Sequence, residues 1–219
     1  MTSIGFFQLE LSKHCSKCGR NPQDVTLVAV SKKQPLAKIH QAFREKHFDF
    51  GENYVQEALE KQQALDLKEI RWHMIGPIQT NKINKMLGRF FLIHSVDSLA
   101  TAIEINKRAQ RENLKTSVLL QVNLAGEKTK SGMSQEDLLR DWQAFQDLHF
   151  LELRGLMTMP PLGQDPESSR PFFRQLKKLA DHLNLKELSM GTSSDWRVAV
   201  EEGATFIRLG TSIFGERTA

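Results

Sequence analysis

The amino-acid sequence predicts a single α/β domain, a (β/α)8 TIM barrel with an extra N-terminal helix. Three observations carry that expectation. Short apolar runs recur eight times, amphipathic stretches of helical period lie between them, and 219 residues suit the compact end of this architecture. A doubly wound open sheet satisfies the same alternation, so spacing alone leaves closure open. No linker, low-complexity segment or identical repeat divides the chain, and one domain over residues 1–219 is expected.

The opening helix is expected over about residues 6–17 and stops at Gly19-Arg20-Asn21-Pro22. Val25-Thr26-Leu27-Val28-Ala29-Val30 then reads as a strand buried on both faces, followed by a helix with Pro35 near its first turn. The unit repeats with strands at Phe48-Asp49-Phe50, Trp72-His73-Met74-Ile75, Phe91-Leu92-Ile93-His94-Ser95 and Val118-Leu119-Leu120-Gln121-Val122. Helices after the last two begin near Ser98 and Ser134, residues that favour N-caps. Leu153 to Met157, Leu188 to Met190 and Phe206 to Leu209 complete the series. Phe172, Phe173, Leu176 and Leu179 at helical spacing read as core, with Lys177-Lys178 on the solvated side.

Composition narrows the function. Hydrophobic residues at 40% and charged residues at 26% are ordinary for a globular protein, and no apolar run is long enough to span a bilayer. Met1 to Glu10 lack the layout of a secretory signal, so a cytoplasmic location is expected. A net charge of +4 permits anion binding, but no basic stripe interleaved with aromatics points to nucleic acid. Cys15 and Cys18 form a lone CxxC without a second ligand pair; they read as helix-end thiols, and no metal site is expected.

In either α/β arrangement ligands bind at the carboxyl ends of the strands. Lys32 stands just past the first strand, where apolar surroundings would lower its pKa as Schiff-base chemistry needs; an ordinary loop lysine is the equal alternative. Ser189-Met190-Gly191-Thr192-Ser193-Ser194-Asp195 and Arg208-Leu209-Gly210-Thr211-Ser212 follow strands seven and eight. Each offers small residues, hydroxyls and a helix start, the makings of a phosphate cradle or of plain N-capping loops. His94 can face the mouth or serve as a hydrogen-bonded structural histidine.

Many ordered segments carry a family resemblance: Leu27 to Lys32, Phe50 to Glu57, Trp72 to Lys82, Gln121 to Asn123, Lys130 to Met133, Gly155 to Met159, Ser189 to Gly191 and Arg208 to Gly215. Along nearly its whole length the chain resembles the pyridoxal phosphate homeostasis proteins, small single-barrel relatives of the alanine racemase N-terminal domain. The resemblance implies pyridoxal phosphate as cofactor, held by a Schiff base on Lys32. It also implies phosphate contacts from Ser193, Gly210 and Thr211, a wall of Met190 and Gly191, Arg208 facing the pyridine nitrogen, and Asn53 in the pocket. His73 and Asn81 lie in a matching motif without an implied role, and Lys130 in the strand-five loop can reach the cofactor or its phosphate. The loop Val122 to Gly126 is looser than the family pattern.

A guanidinium against the pyridine nitrogen keeps it unprotonated and weakens the ring as an electron sink. The only tyrosine is Tyr54, and no second domain is expected after Ala219 to supply another base. The expected function is therefore a carrier or buffer of pyridoxal phosphate in vitamin B6 and amino-acid homeostasis. No catalytic residue and no turnover of its own are expected. Apo pyridoxal-dependent enzymes are the expected recipients, and a monomer is the expected state. An amino-acid racemase using Tyr54, Lys130 or His94 as second base is the alternative, and an anion- or nucleic-acid-binding barrel without covalent cofactor is the remote one.

Overall fold

The computed structural model describes residues 3–127, 131–161, 163 and 165–215. Eight parallel strands pair in sequence order and the last closes on the first: β1 (Thr26–Val30), β2 (Asp49–Glu52), β3 (Arg71–Met74), β4 (Leu92–Val96), β5 (Thr116–Gln121), β6 (Leu151–Met157), β7 (Glu187–Ser189) and β8 (Phe206–Leu209). Closure is explicit in the register, where Val28 pairs with Arg208 and Ala29 with both Leu209 and Phe50. The open-sheet alternative is thereby excluded.

The helices are α1 (Ser3–Lys17), α2 (Leu36–Arg44), α3 (Val55–Leu65), α4 (Ile83–Met86), α5 (Leu99–Arg111), α6 (Gln135–Arg140), α7 (Trp142–Gln146), α8 (Arg170–His182), α9 (Trp196–Glu201) and α10 (Thr211–Phe214). Local chemistry explains several starts. Pro35 is the residue before α2, Ser98 Oγ accepts the Thr101 amide at 3.1 Å, and Ser134 Oγ accepts that of Asp137 at 3.0 Å. The expected helix after Ser134 is broken at Asp141 into α6 and α7.

Two apolar layers build the core. The larger lies between strands and helices and includes Ile39, Ile93, Ile105, Phe173 and Ile207. A separate cluster of Val28, Leu92, Leu119, Met157 and Phe206 comes from five strands alone and forms the apolar part of the barrel interior. Burying each such side chain stabilises the fold by about 2 kcal/mol. Helix α1 buries Ile4, Phe7, Leu11 and Cys15 along one stripe, and Phe7 meets Trp196 of α9 edge-on at 4.8 Å. Cys15 is thus a packed core thiol, Cys18 lies just past the helix end, and both are free.

Candidate functional site

In a parallel barrel all strand carboxyl ends open on one face, so the residues after each strand share one mouth. Lys32 follows β1 by two residues and is half-buried. Its turn is clamped from below. Ser31, fully buried, donates from Oγ to Glu52 Oε1 at 2.6 Å, and the buried Lys61 of α3 donates to Ser31 O, Glu52 Oε1 and Glu57 Oε1 at 2.6, 2.7 and 2.7 Å. Glu57 Oε1 also accepts the amide of Lys33, a residue with φ of +56°. This cluster holds the Lys32 turn in a conformation that L-residues seldom adopt. Burial pushes the Glu52 carboxyl up while Lys61 and Ser31 pull it back.

Asn53 follows β2. Its Oδ1 is buried and has no hydrogen-bond partner among the described residues. A Cβ on Gly76 would lie 2.2 Å from Asn53 O, so only glycine lets the strand-three loop pass here.

Arg208, near the end of β8, is 5% exposed. Its Nη2 donates to Thr158 O at 3.0 Å and its Nη1 to Ser189 Oγ at 2.5 Å. Burial lowers its pKa to about 10 against the opposing charge of Asp195, which leaves it a cation at neutral pH.

The loop after β7 turns at Gly191, where φ is +91° and a Cβ would come within 2.5 Å of Ala199 Cβ. Buried Asp195 shapes the rest. Its Oδ1 accepts the Thr192 amide at 2.7 Å and the Thr192 hydroxyl at 3.0 Å, while Oδ2 accepts Ser169 Oγ at 2.8 Å. Neither α9 nor α10 has a side-chain cap, so the hydroxyls of Ser193 and Thr211 are not used as N-caps. The N-capping alternative for these two loops therefore does not describe them. First-turn amides and short hydroxyls stand together at the mouth, an arrangement suited to an anion.

Ser193, Gly210 and Thr211 thus fall beside the mouth with Lys32, Asn53 and Arg208. Met190 does so only with its backbone: its side chain is fully buried in the outer apolar layer, because alternation along the strand turns Ser189 inward instead. His94 does not follow its strand but lies within β4, wholly buried, with Nε2 2.9 Å from His73 Nδ1 and Nδ1 2.7 Å from Ser189 Oγ. Its hydrogen-bonded structural reading is the one realised. Asn81 lies on the surface in a short 3-10 turn after β3, and Lys130 falls outside the described residues.

Asp195, Ser189, Glu52 and Lys61 were not among the expected site residues. Asp195 carried a signal, since an Asp three residues past Thr192 can fold back on its amide. Lys61 carried none, because a lysine on a charged helix reads as solvated. Among the described residues no group of three or more His, Cys, Asp and Glu could hold a metal ion.

Together, the closed parallel barrel, a lysine past its first strand and an anion-suited pair of final loops define the class of alanine racemase N-terminal-domain barrels. Residues 13–218 match the family described as "Alanine racemase, N-terminal domain". The chain belongs to that family and, within it, to the pyridoxal phosphate homeostasis proteins. It is 42% identical over 213 residues to the "Pyridoxal phosphate homeostasis protein" of Aquifex aeolicus, covering 94% of this chain and 93% of that one. The protein of the same description from Escherichia coli K12 is 36% identical over 220 residues, 95% and 92% of the two chains.

Among solved structures, PipY of Synechococcus elongatus, described "with PLP bound", superposes with a TM-score of 0.84 at 39% identity, over 94% of this chain and all of that one. Alanine racemase of Clostridium difficile shares the fold, with a TM-score of 0.76 at 16% identity over 97% of this chain and 56% of that one.

Proposed function

We propose that this chain binds pyridoxal phosphate at the carboxyl mouth of its barrel and holds it through Lys32 as a Schiff base, acting as a reversible store of the cofactor without turnover of its own. The observation that carries the reading is convergence at one mouth. Lys32, the unpartnered Oδ1 of Asn53, the buried guanidinium of Arg208 and the two final loops lie together there. PipY, similar over the same length, is described with pyridoxal phosphate bound.

When bound, the cofactor supplies an aldehyde and an electron-accepting ring. The chain's own groups divide the remaining work. Lys32 would hold the cofactor through its Nζ, condensing with the aldehyde with loss of one water. Ser193, Thr211 and the amides from Gly210 onward receive the phosphate. Arg208, which donates hydrogen bonds and accepts none, would be set toward the pyridine nitrogen and would leave it without a proton. Asn53 supplies an acceptor or donor to the ring's polar edge. Gly191 and the backbone of Met190 form the wall.

Enzymatic turnover would need a second base. His94 cannot serve, because both ring nitrogens are committed inside the barrel. Tyr54 is 54% exposed on the rim, open to water rather than held in a closed site. We extend the proposal to one cofactor-binding unit over residues 1–219, a monomer in the cytoplasm that yields pyridoxal phosphate to apo-enzymes. No helix of the described residues is long and apolar enough to cross a membrane.

The test is an absorbance spectrum of protein loaded with pyridoxal phosphate, before and after borohydride, with peptide mapping. A violet-edge band fixed by reduction onto Lys32, and absent in Lys32→Ala, is expected. A colourless, unlabelled protein would overturn the ligand assignment, and a label on another lysine the residue. Hydrogen exchange at the α-carbon of L-alanine or L-serine in deuterated water would overturn the absence of turnover.

A further inference from the structure

Five buried side chains, Asp49, His73, His94, Ser189 and Arg208, link across the barrel interior, and the exposed Arg71 holds one end of the line. Arg71, at the amino end of β3, grips Asp49 through Nε at 2.7 Å and Nη2 at 2.5 Å. Asp49 Oδ1 lies 3.1 Å from His73 Nε2, His73 Nδ1 2.9 Å from His94 Nε2, and His94 Nδ1 2.7 Å from Ser189 Oγ. Ser189 Oγ accepts from Arg208 Nη1 at the other end of the barrel. Both histidines are fully buried, and the Phe206 ring packs against them at 5.8 and 5.3 Å.

The chemistry of the two ends dictates every proton between them. Ionised Asp49 can only accept, so His73 carries its proton on Nε2. A neutral His73 then accepts at Nδ1, so His94 also carries its proton on Nε2. His94 accepts at Nδ1 from the Ser189 hydroxyl, which leaves the serine oxygen to receive Arg208. All the hydrogen bonds run one way, from cation to carboxylate, and reversing any one breaks its neighbours.

We infer that Asp49, His73, His94 and Ser189 are positioning residues, a directed hydrogen-bond relay that aims the Arg208 guanidinium into the cofactor mouth and anchors it at the opposite end of the barrel. The role toward the cofactor rests on the proposed function; the relay itself does not. No proton travels along it, since that would require the Arg208 guanidinium to surrender one. It transmits orientation and charge: a fork held at Ser189 and Thr158 presents its remaining donors in one direction only.

Two measurements test it. In ligand-free protein, nitrogen-15 NMR should show both His73 and His94 with Nε2 protonated and Nδ1 bare; a proton on His94 Nδ1 overturns the relay whether or not the cofactor reading holds. In protein loaded with pyridoxal phosphate, Asp49→Asn should weaken retention about fivefold and shift the absorbance band, although Asp49 lies at the far end from the mouth. In an Arg208→Lys background the same change should cost less than about twofold, because the fork it positions is gone. Unaltered affinity and band in a folded Asp49→Asn protein, or an equal loss in both backgrounds, overturns the inference. Should Asp49→Asn not fold, Ser189→Ala must give the same pattern, as it removes the link beside Arg208 without changing charge.

Discussion

Ser31 Oγ donates to Glu52 Oε1 at 2.6 Å, tying the residue before Lys32 to the residue before Asn53. Two neighbouring strands thus present Lys32 and Asn53 from one shared bond, and Lys61 completes it with an ammonium 2.7 Å from the same oxygen.

Removing one member of this cluster should cost far more than removing the charge pair. Lys61→Met strands Glu52, which is fully buried with Oε2 already unpartnered, and should destabilise by about 3 kcal/mol or more. Lys61→Met with Glu52→Gln leaves no buried charge and should recover at least about 1 kcal/mol of it. Urea unfolding of both variants checks this; a double variant no more stable than the single one contradicts it.

Asp195 is expected to matter through the shape of the loop rather than by touching an anion. Asp195→Ala removes the acceptor of the Thr192 amide, the Thr192 hydroxyl and Ser169 Oγ, which should cost about 2 kcal/mol. Titration calorimetry with pyridoxal phosphate and with pyridoxal separates the two roles. The variant should lose affinity for the phosphorylated form about tenfold and much less for the other. An equal loss for both would mean the loop does not serve the phosphate.

The glycines of the mouth should not be interchangeable. At Gly191 an alanine would meet Ala199 Cβ at 2.5 Å with φ at +91°, and Gly191→Ala should destabilise by about 2 kcal/mol or more. At Gly210 the nearest atom, Val30 Cβ, is 3.6 Å away and φ is −114°, so Gly210→Ala should cost less than about 1 kcal/mol. Thermal melts of the two variants give the comparison directly.

Acid should weaken the fold in two stages. Burial, the leading cause at both His73 and His94, depresses their pKa values, so each is neutral when folded and takes a proton when unfolded. Their stabilisation is present above about pH 6.5 and is lost as pH falls through the folded values, by up to about 1.4 kcal/mol per pH unit for each. Asp49 acts lower. Burial alone would raise its pKa, but hydrogen bonds from Arg71 and His73 bring it to about 2. Its contribution, on the order of 2 kcal/mol, is present above the ordinary 3.8 and lost on the way down to about 2. Urea midpoints should therefore fall between pH 7 and 5 and again below 4. His73→Gln with His94→Gln should flatten the first fall, leaving the part due to His47, which burial also depresses. An unchanged slope in that variant would refute the assignment.

Much of the site was legible because it is local. A strand ends where its apolar run ends, so Lys32 and the loops holding Ser193, Gly210 and Thr211 could be placed at the mouth from their positions alone. The helix starts at Ser98 and Ser134 were legible for the same reason, each cap acting within three residues. The facing of side chains was not. A barrel strand is buried on both sides, so an apolar run such as Leu92 to Val96 carries no alternation to show which residues turn inward. That is why His94 could be read at the mouth and the Met190 side chain as facing it, when the inward positions belong to His94 deep in the barrel and to Ser189.

The sequence by itself determined the succession of strands and helices, the lysine past the first strand and the small-residue loops past the last two, since each depends on neighbours a few residues away. Tertiary structure alone decided closure of the sheet, the Ser31–Glu52–Lys61 clamp and the line from Arg208 to Asp49. The partners in that line stand 19, 95, 21 and 24 residues apart, and only the pairing of β2 with β3, the neighbouring β4 and the return of β7 and β8 bring them within a hydrogen bond. Buried polar groups must find partners, and in this barrel those partners could be named only once every strand had its place.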